Sequence, residues 1–396
     1  MTFIASRNEA QAACVKLLNY CTANDWAGYD PYDALNSRLF TALPFLNSRV
    51  PRLIATQALK RSPVNVRRLM FIPPTQNPKA IGLFLSAALK LRRLDRSLEH
   101  LPHSLVERLL ALRSPGTPHW CWGYSFPWQT RTRVVPRGTP NLVCTTFAAG
   151  ALLDAYDELR DSRLLEMAVS AASYIIGALY RDDGTAAGFT YPLPSMSITV
   201  HNANFLGAAL LSRVYRLTGD TTFLEPALKA ARYSASRQRA DGSWAYGEAD
   251  AQQWVDNFHT GYNLCALQDI GRVLRTDEFE RHIGRGLTFY RDHFFLEDGT
   301  PKYFHDRTYP IDIHCSAQSV ITLLAFSDRH EDMGALARRV LQWTMNHMWD
   351  ERGFFYYRVL RLGTIKTSYM RWSQAWMLLA LATFLTHASE AYVDAA

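Results

Sequence analysis

The chain is short of the signals that would take it out of a reducing compartment or through a membrane. It has only six cysteines in 396 residues, Cys14, Cys21, Cys121, Cys144, Cys265 and Cys315, and none form a CxxC pair. Such cysteines, set in helix-like apolar stretches, read as small buried hydrophobes rather than a disulfide framework. No run reaches the ~20 apolar residues that a membrane span needs, and the longest candidate, AWMLLALATFL, falls short. The start, MTFIASRNEAQAACVKLL, carries polar residues where a secretion signal needs an apolar stretch. A cytoplasmic protein is expected, with room for peripheral attachment to a membrane surface. Nucleotide and hydrolase signatures are missing too: no GxxxxGK[ST], no GxGxxG after a strand, no HExxH and no GxSxG. No cofactor is expected. Asp312, His314 and Cys315 loosely resemble metal ligands, but such near neighbours point different ways on a helix, so no metal is expected either.

The composition, 48% hydrophobic and 20% charged, is that of a chain able to bury a large core. A formal charge of +7 favours acidic partners such as an anionic glycan or a membrane surface. The cations are scattered and no nucleic-acid motif is present, so nucleic acid is not an expected partner. The densest cluster, LKLRRLDR with Arg67 and Arg68 upstream, reads as a solvated helix face.

The dominant feature is a period. VHNANFLGAALLSRVYRL, VDNFHTGYNLCALQDIGRVL, IDIHCSAQSVITLLAF and TSYMRWSQAWMLLALATFL begin at Val200, Val255, Ile311 and Thr367, steps of 55, 56 and 56 residues. Turns recur in step, RDDGTAAGFTY, RADGSWAY, LEDGTPKYF and DERGFFYY, with Gly184, Gly242, Gly299 and Gly353. A repeat of this size marks supersecondary units that bury their apolar faces only by stacking.

Within each unit the apolar spacing predicts two antiparallel helices. The pairs are Phe205–Leu217 with Phe223–Gln238, Tyr262–Leu274 with Glu278–Phe294, and Ala317–Ser327 with Met333–His347; NLVCTTFAAGALLDAYDELRD and LLEMAVSAASYIIGALY form another. Ala10–Phe45 and Ala80–Arg113 bring the count to six, and the lone helix Trp372–Leu385 is placed against the N-terminal helix. The expected fold is all-α: residues 1–396 as one (α/α)6 toroid, inner helices lining a cup, with short β-like turns at one rim. Residues 113–141, rich in Pro, Trp and Tyr, read as a rim loop.

A toroid gathers the starts of its inner helices at one end. Those starts offer His201 and Asn202; Trp254, Asp256, His259 and Tyr262; Asp312 and His314; and Arg371 and Trp372. Adjacent helix axes lie about 8–10 Å apart, close enough for Asp256 and Asp312 to flank one sugar ring. Two carboxylates with histidines nearby suit acid–base chemistry, so Asp256, Asp312, His259 and His314 are the catalytic candidates. Asp at a helix start is equally a favoured N-cap. Aromatic side chains stack on pyranose faces; HWCWGYSFPW supplies Trp120, Trp122, Tyr124 and Trp128, and the turns add Trp244, Tyr246, Trp254 and Tyr303. Asp30, Tyr32 and Asp33 surround a proline turn that either joins the cup or caps a helix. Arg371 either clamps an anionic group or pairs with an inner Asp.

GYDPYDALNS, ADGSWAYG followed by WVDNFHTGYNL, KYFHDRTYPIDIHCSAQ and YMRWSQAWM together resemble bacterial exopolysaccharide- and capsule-cluster proteins of the VpsJ type, over about residues 20–385. The chain is also similar to the wider six-hairpin superfamily of glycoside hydrolases, sugar epimerases and terpene cyclase or prenyltransferase toroids. The resemblance implies surface-polysaccharide biosynthesis and a glycan or glycolipid substrate. It leaves hydrolysis and epimerisation unseparated. A non-catalytic glycan-binding scaffold and an isoprenoid or lipid-carrier enzyme are the alternatives; no DxDD acid motif supports the latter.

Overall fold

The computed structural model describes residues 7–130 and 133–393. Its helices are α1 (Arg7–Ala23), α2 (Leu39–Ala42), α3 (Arg49–Arg61), α4 (Pro78–Leu91), α5 (Leu101–Ala111), α6 (Leu142–Leu159), α7 (Ser162–Tyr174), α8 (His201–Thr218), α9 (Leu224–Ser236), α10 (Asn257–Leu274), α11 (Glu280–His293), α12 (Ile313–Ala325), α13 (Glu331–Met348) and α14 (Ala375–Val393). Helices α4, α6, α8, α10, α12 and α14 pack in succession, and α14 returns onto α4. That closes an inner ring. Each inner helix is backed by one outer helix: α5, α7, α9, α11, α13 and, for α14, α1. The fold is the expected (α/α)6 toroid.

The inner helices are apolar nearly all round because each is covered on both flanks and behind. Ala80 to Leu85 of α4 are buried without a break. Tight links reverse the chain: Arg160, Gly219 and Arg275 end α6, α8 and α10 in the left-handed conformation. All six inner helices therefore start at the same end of the ring. The turns after the outer helices sit at that end, and two of them form strand pairs, Tyr180–Asp182 with Ala187–Phe189 and Trp349–Asp350 with Phe354–Phe355.

The recurring glycines have a geometric cause. Gly242 has φ +93°, and a Cβ there would lie 2.4 Å from the Arg285 carbonyl oxygen on the next outer helix, α11. Gly353, also at φ +93°, presses on the Lys16 carbonyl oxygen of α1 at 2.7 Å. The last turn thus treats α1 as the next outer helix, and the period runs through the junction of the two chain ends.

One expected pair is corrected. Ala10–Phe45 is not a hairpin, because α1 is partnered by α14. The segment that follows α1 crosses the mouth of the ring instead. It builds a small core of its own from Ala34, Leu59 and Ile72, with α3 as a helix that the periodicity did not mark. The basic cluster ending α4 is a surface ion-pair group, with Arg92 and Arg93 on Glu158. Among the described residues, Ser162–Leu179 is the one helical stretch apolar enough in 18 residues to cross a membrane, with mean hydropathy 1.2; it packs on α6 as an outer wall.

The ring is locked where its ends meet. Arg371 donates from Nε and Nη2 to the two carboxylate oxygens of Asp30, at 2.6 and 2.9 Å, and Met370 N–H donates to the Tyr29 carbonyl at 3.1 Å. Both charged side chains are buried. Removing one partner strands the other charge, so Asp30→Asn is expected to cost about 3–5 kcal/mol, read as a lower urea midpoint with an unchanged slope.

Candidate active site

Six helix N-termini converge at the mouth, and four are capped by Asn or Asp side chains: Asn77 on α4, Asn141 on α6, Asp256 on α10 and Asp312 on α12. Both aspartates are N-caps, and each also organises a polar cluster.

Asp256 accepts the His259 backbone N–H at 3.0 Å, Trp254 Nε1–H at 2.9 Å and His259 Nδ1 at 2.7 Å. The carboxylate accepts from Nδ1–H, which leaves Nε2 on the far side of the ring. The His259 side chain is 20% exposed, and no described side chain bonds its Nε2. Trp254 lies flat on Tyr246, with centroids 4.6 Å apart and an 11° interplanar angle. Tyr246 touches the His259 ring at 4.7 Å. Trp254 is 38% exposed, so the pair offers an open aromatic ledge beside the imidazole.

Asp312 is engaged differently. It accepts the His314 N–H at 2.9 Å, Trp372 Nε1–H at 2.8 Å and Arg358 Nε–H at 2.6 Å. Its charge is neutralised by a permanent cation. The two aspartates start neighbouring helices, with Phe258 contacting both adjacent imidazoles, at 4.1 Å from His259 and 4.5 Å from His314.

Below them lies a buried group. Tyr262 OH and His314 Nε2 are 2.5 Å apart, while His314 Nδ1 has no partner. Lys79 is buried, its ammonium 4.1 Å from the Phe147 centroid, 5.2 Å from Trp376 and 5.5 Å from Tyr262. Burial first, then Arg371, drives the Lys79 amine well below the usual lysine range. Burial, then Lys79 and Arg371, drives His314 well below the usual imidazole range, so its ring is neutral at pH 7.

The mouth-crossing segment completes the rim. Tyr32 accepts from Lys60 Nζ at 2.7 Å and meets the Trp372 ring edge-on at 5.6 Å. Asp30 holds Arg371, whose guanidinium also lies 5.0 Å from the Tyr124 ring. Asp33 binds Arg67 at 2.8 Å, and burial pushes its carboxyl up to about 6. Trp128 packs edge-on against Tyr124, and Tyr303 lies 5.2 Å from the Arg358 guanidinium. A small cleft beside Asp30, Asn77, Ser125 and Arg371 has about 10 Å³ of room for solvent, roughly one water. Further in, Phe147, Tyr262 and Trp376 pack on one another with centroids 5.4–5.7 Å apart.

The sequence-chosen residues therefore divide. Asp256, His259, Trp254, Tyr262, His314, Asp312, Trp372, Arg371, Asp30, Tyr32, Tyr303 and Trp128 belong to one connected mouth, with Asp33 behind it. Trp122 does not reach it: its ring is core and Nε1–H donates to the Leu109 carbonyl of α5 at 2.9 Å. Trp120 packs beside Trp122 with its backbone N–H on Ser170 of α7. Trp244 is likewise a wall residue, bonded to the Ser234 carbonyl of α9. His201 is buried against Ser234 Oγ at 3.2 Å, and Asn202 is buried beside it in the chain. Lys79 and Arg358 were not singled out by sequence. Lys79 had a legible signal: it stands two residues after its cap, as His314 does after Asp312.

Solved structures share this ring. An unsaturated glucuronyl hydrolase from Streptococcus agalactiae superposes with a TM-score of 0.63 at 12% identity, over 97% of this chain and 93% of that one. A possible member of the GH105 family from Salmonella enterica gives 0.62 at 11%, over 99% and 96%. A cellobiose 2-epimerase from Bacillus thermoamylovorans gives 0.60 at 12%, over 78% and 87%. At these identities the likeness is one of fold. No protein-family profile matches the chain, and no curated protein matches it by sequence.

Burial lowers His201 to about 4, below the ~6.5 of an unfolded imidazole. A depressed folded value means stability present above pH 6.5 and lost as pH falls toward 4, by about 3 kcal/mol. Urea midpoints compared at neutral and acid pH should show that loss, and His201→Gln should lose correspondingly less.

Proposed function

We propose that this chain is a glycan-active enzyme working by acid–base chemistry at the inner-helix mouth, on a glycan or glycolipid of surface-polysaccharide biosynthesis at the cytoplasmic side. The observation that carries the reading is the Asp256–His259 pair, with a free Nε2 beside the Trp254–Tyr246 ledge. The ledge supplies a stacking face for a sugar ring. The imidazole supplies a proton acceptor whose charged form Asp256 stabilises across a 2.7 Å contact. The sugar-processing activities named for the fold neighbours above, and the resemblance to polysaccharide-cluster proteins, point the same way.

Proton transfer of the epimerase type fits these residues better than two-carboxylate hydrolysis. Hydrolysis asks one carboxyl to donate a proton and the other to attack or to activate water. Asp256 and Asp312 each accept three hydrogen bonds, and Asp312 is also ion-paired. In this reading they are positioning residues. His259 removes or returns the proton, and the Tyr262–His314 pair forms the second half of the relay. Arg358, over Tyr303, orients an anionic substituent. The ledge also supports a purely glycan-binding role, because stacking needs no catalysis. Asp, His, Arg and Lys interleave with the rings at the mouth, so nothing lends weight to the isoprenoid reading.

Oligosaccharides incubated in deuterated water distinguish these readings: epimerisation places deuterium at a sugar carbon, hydrolysis produces new reducing ends, and binding does neither. His259→Gln is expected to lower turnover by about 10²–10⁴-fold with the circular-dichroism spectrum unchanged. Trp254→Ala should mainly raise KM. Wild-type turnover in a folded His259→Gln protein would remove the assignment.

A further inference from the structure

The mouth-crossing segment carries a surface that the chemistry above does not use. Residues 38–72 contain seven Lys or Arg and no Asp or Glu. The remainder of the chain has 36 cations and 36 acids, so the whole formal charge of +7 sits in this one segment. Arg38, Arg49, Arg61 and Arg68 are exposed, and none forms an ion pair among the described residues. The same segment carries the largest concentration of exposed apolar side chains: Phe45, Val50, Ile54, Val64, Leu69 and Phe71 are each 58–77% exposed. Val50 and Ile54 stand four apart on α3 and share its outer face, while Thr56 and Leu59 turn inward.

We propose that this face docks on a membrane surface rich in anionic phospholipid. Headgroup phosphates match unpaired guanidinium groups, and the apolar side chains between them reach the acyl boundary. A nucleic acid would satisfy the cations but leave six aliphatic or aromatic side chains in water. A second copy meeting this face symmetrically would oppose like charges across the axis. The bilayer satisfies both halves of the pattern. The face is tied to the mouth through Lys60 on Tyr32, Arg67 on Asp33, and Arg52 on Gln129 at 2.9 Å, so docking sets the rim of the ring beside the headgroup layer.

The test is co-sedimentation of the full chain with vesicles of phosphatidylcholine alone or mixed with phosphatidylglycerol, a readout that needs no turnover and stands or falls separately from the proposed activity. Binding is expected with the mixed vesicles, and it should weaken with salt. A charge variant, Arg49→Gln with Arg61→Gln and Arg68→Gln, and an apolar variant, Phe45→Ser with Leu69→Ser, should each bind roughly tenfold or more weakly. All five positions are exposed, and unchanged thermal melting confirms intact folding; if a variant does not fold, the salt dependence of the wild-type chain decides in its place. The proposal is overturned if mixed vesicles sediment no more protein than neutral ones. It also fails if both variants bind like wild type, or if the apolar variant instead dissolves a concentration-dependent dimer.

Discussion

Six helix N-termini brought to one place impose a demand that the rest of the molecule answers. Each ends in unpaired N–H groups and the positive end of a helix dipole. Asn and Asp caps meet that demand on four of the six. A capping carboxylate at the centre of a closed ring is buried, and a buried carboxylate must be neutralised or given several donors. Asp312 takes Arg358, and Asp30, on the crossing segment, takes Arg371. Asp256 takes the indole of Trp254 and the imidazole of His259, neither of them permanently charged. It is thus the one of the three with no arginine beside it.

The ring was legible in the sequence because its cause is repetitive. A 55–56-residue step, a recurrent glycine and paired apolar stretches all follow from units that stack in the same way. The helix starts were legible for the same reason, and Asp256, posed as a cap or a site residue, caps α10 and also bonds His259. Aromatic density was a poorer guide. Trp122 and Trp244 sit in stretches as Trp- and Tyr-rich as Trp254's, but their indole N–H groups face carbonyls inside the wall, and local composition does not encode which way a ring turns. Lys79 was missed because a lysine at a helix start ordinarily reaches solvent; here three aromatic rings from α6, α10 and α14 surround its amine. The pairing of α1 with the last helix was legible, but the stretch after α1 was not, because the repeat pattern weakens in the first hundred residues, where the chain departs from the ring to cross the mouth.

The architecture shared with sugar hydrolases and epimerases at 11–12% identity is a likeness of fold, and a fold alone does not fix a function. The end where the inner helices start also carries the crossing segment from Asn24 to Asn77 and the strand pair Trp128–Gln129 with Val134–Val135.

The partnership of α1 with α14 sets biosynthetic order against structural order. As the chain leaves the ribosome, α1 appears before the ring, yet the surface that receives it is built by α14, made after all five hairpins. Its apolar stripe, with Leu17 and Cys21, has nowhere to settle while five hairpins accumulate. The nascent polypeptide therefore carries an unsatisfied greasy flank while the ring is being made, and the ring becomes watertight only when α1 and α14 find each other.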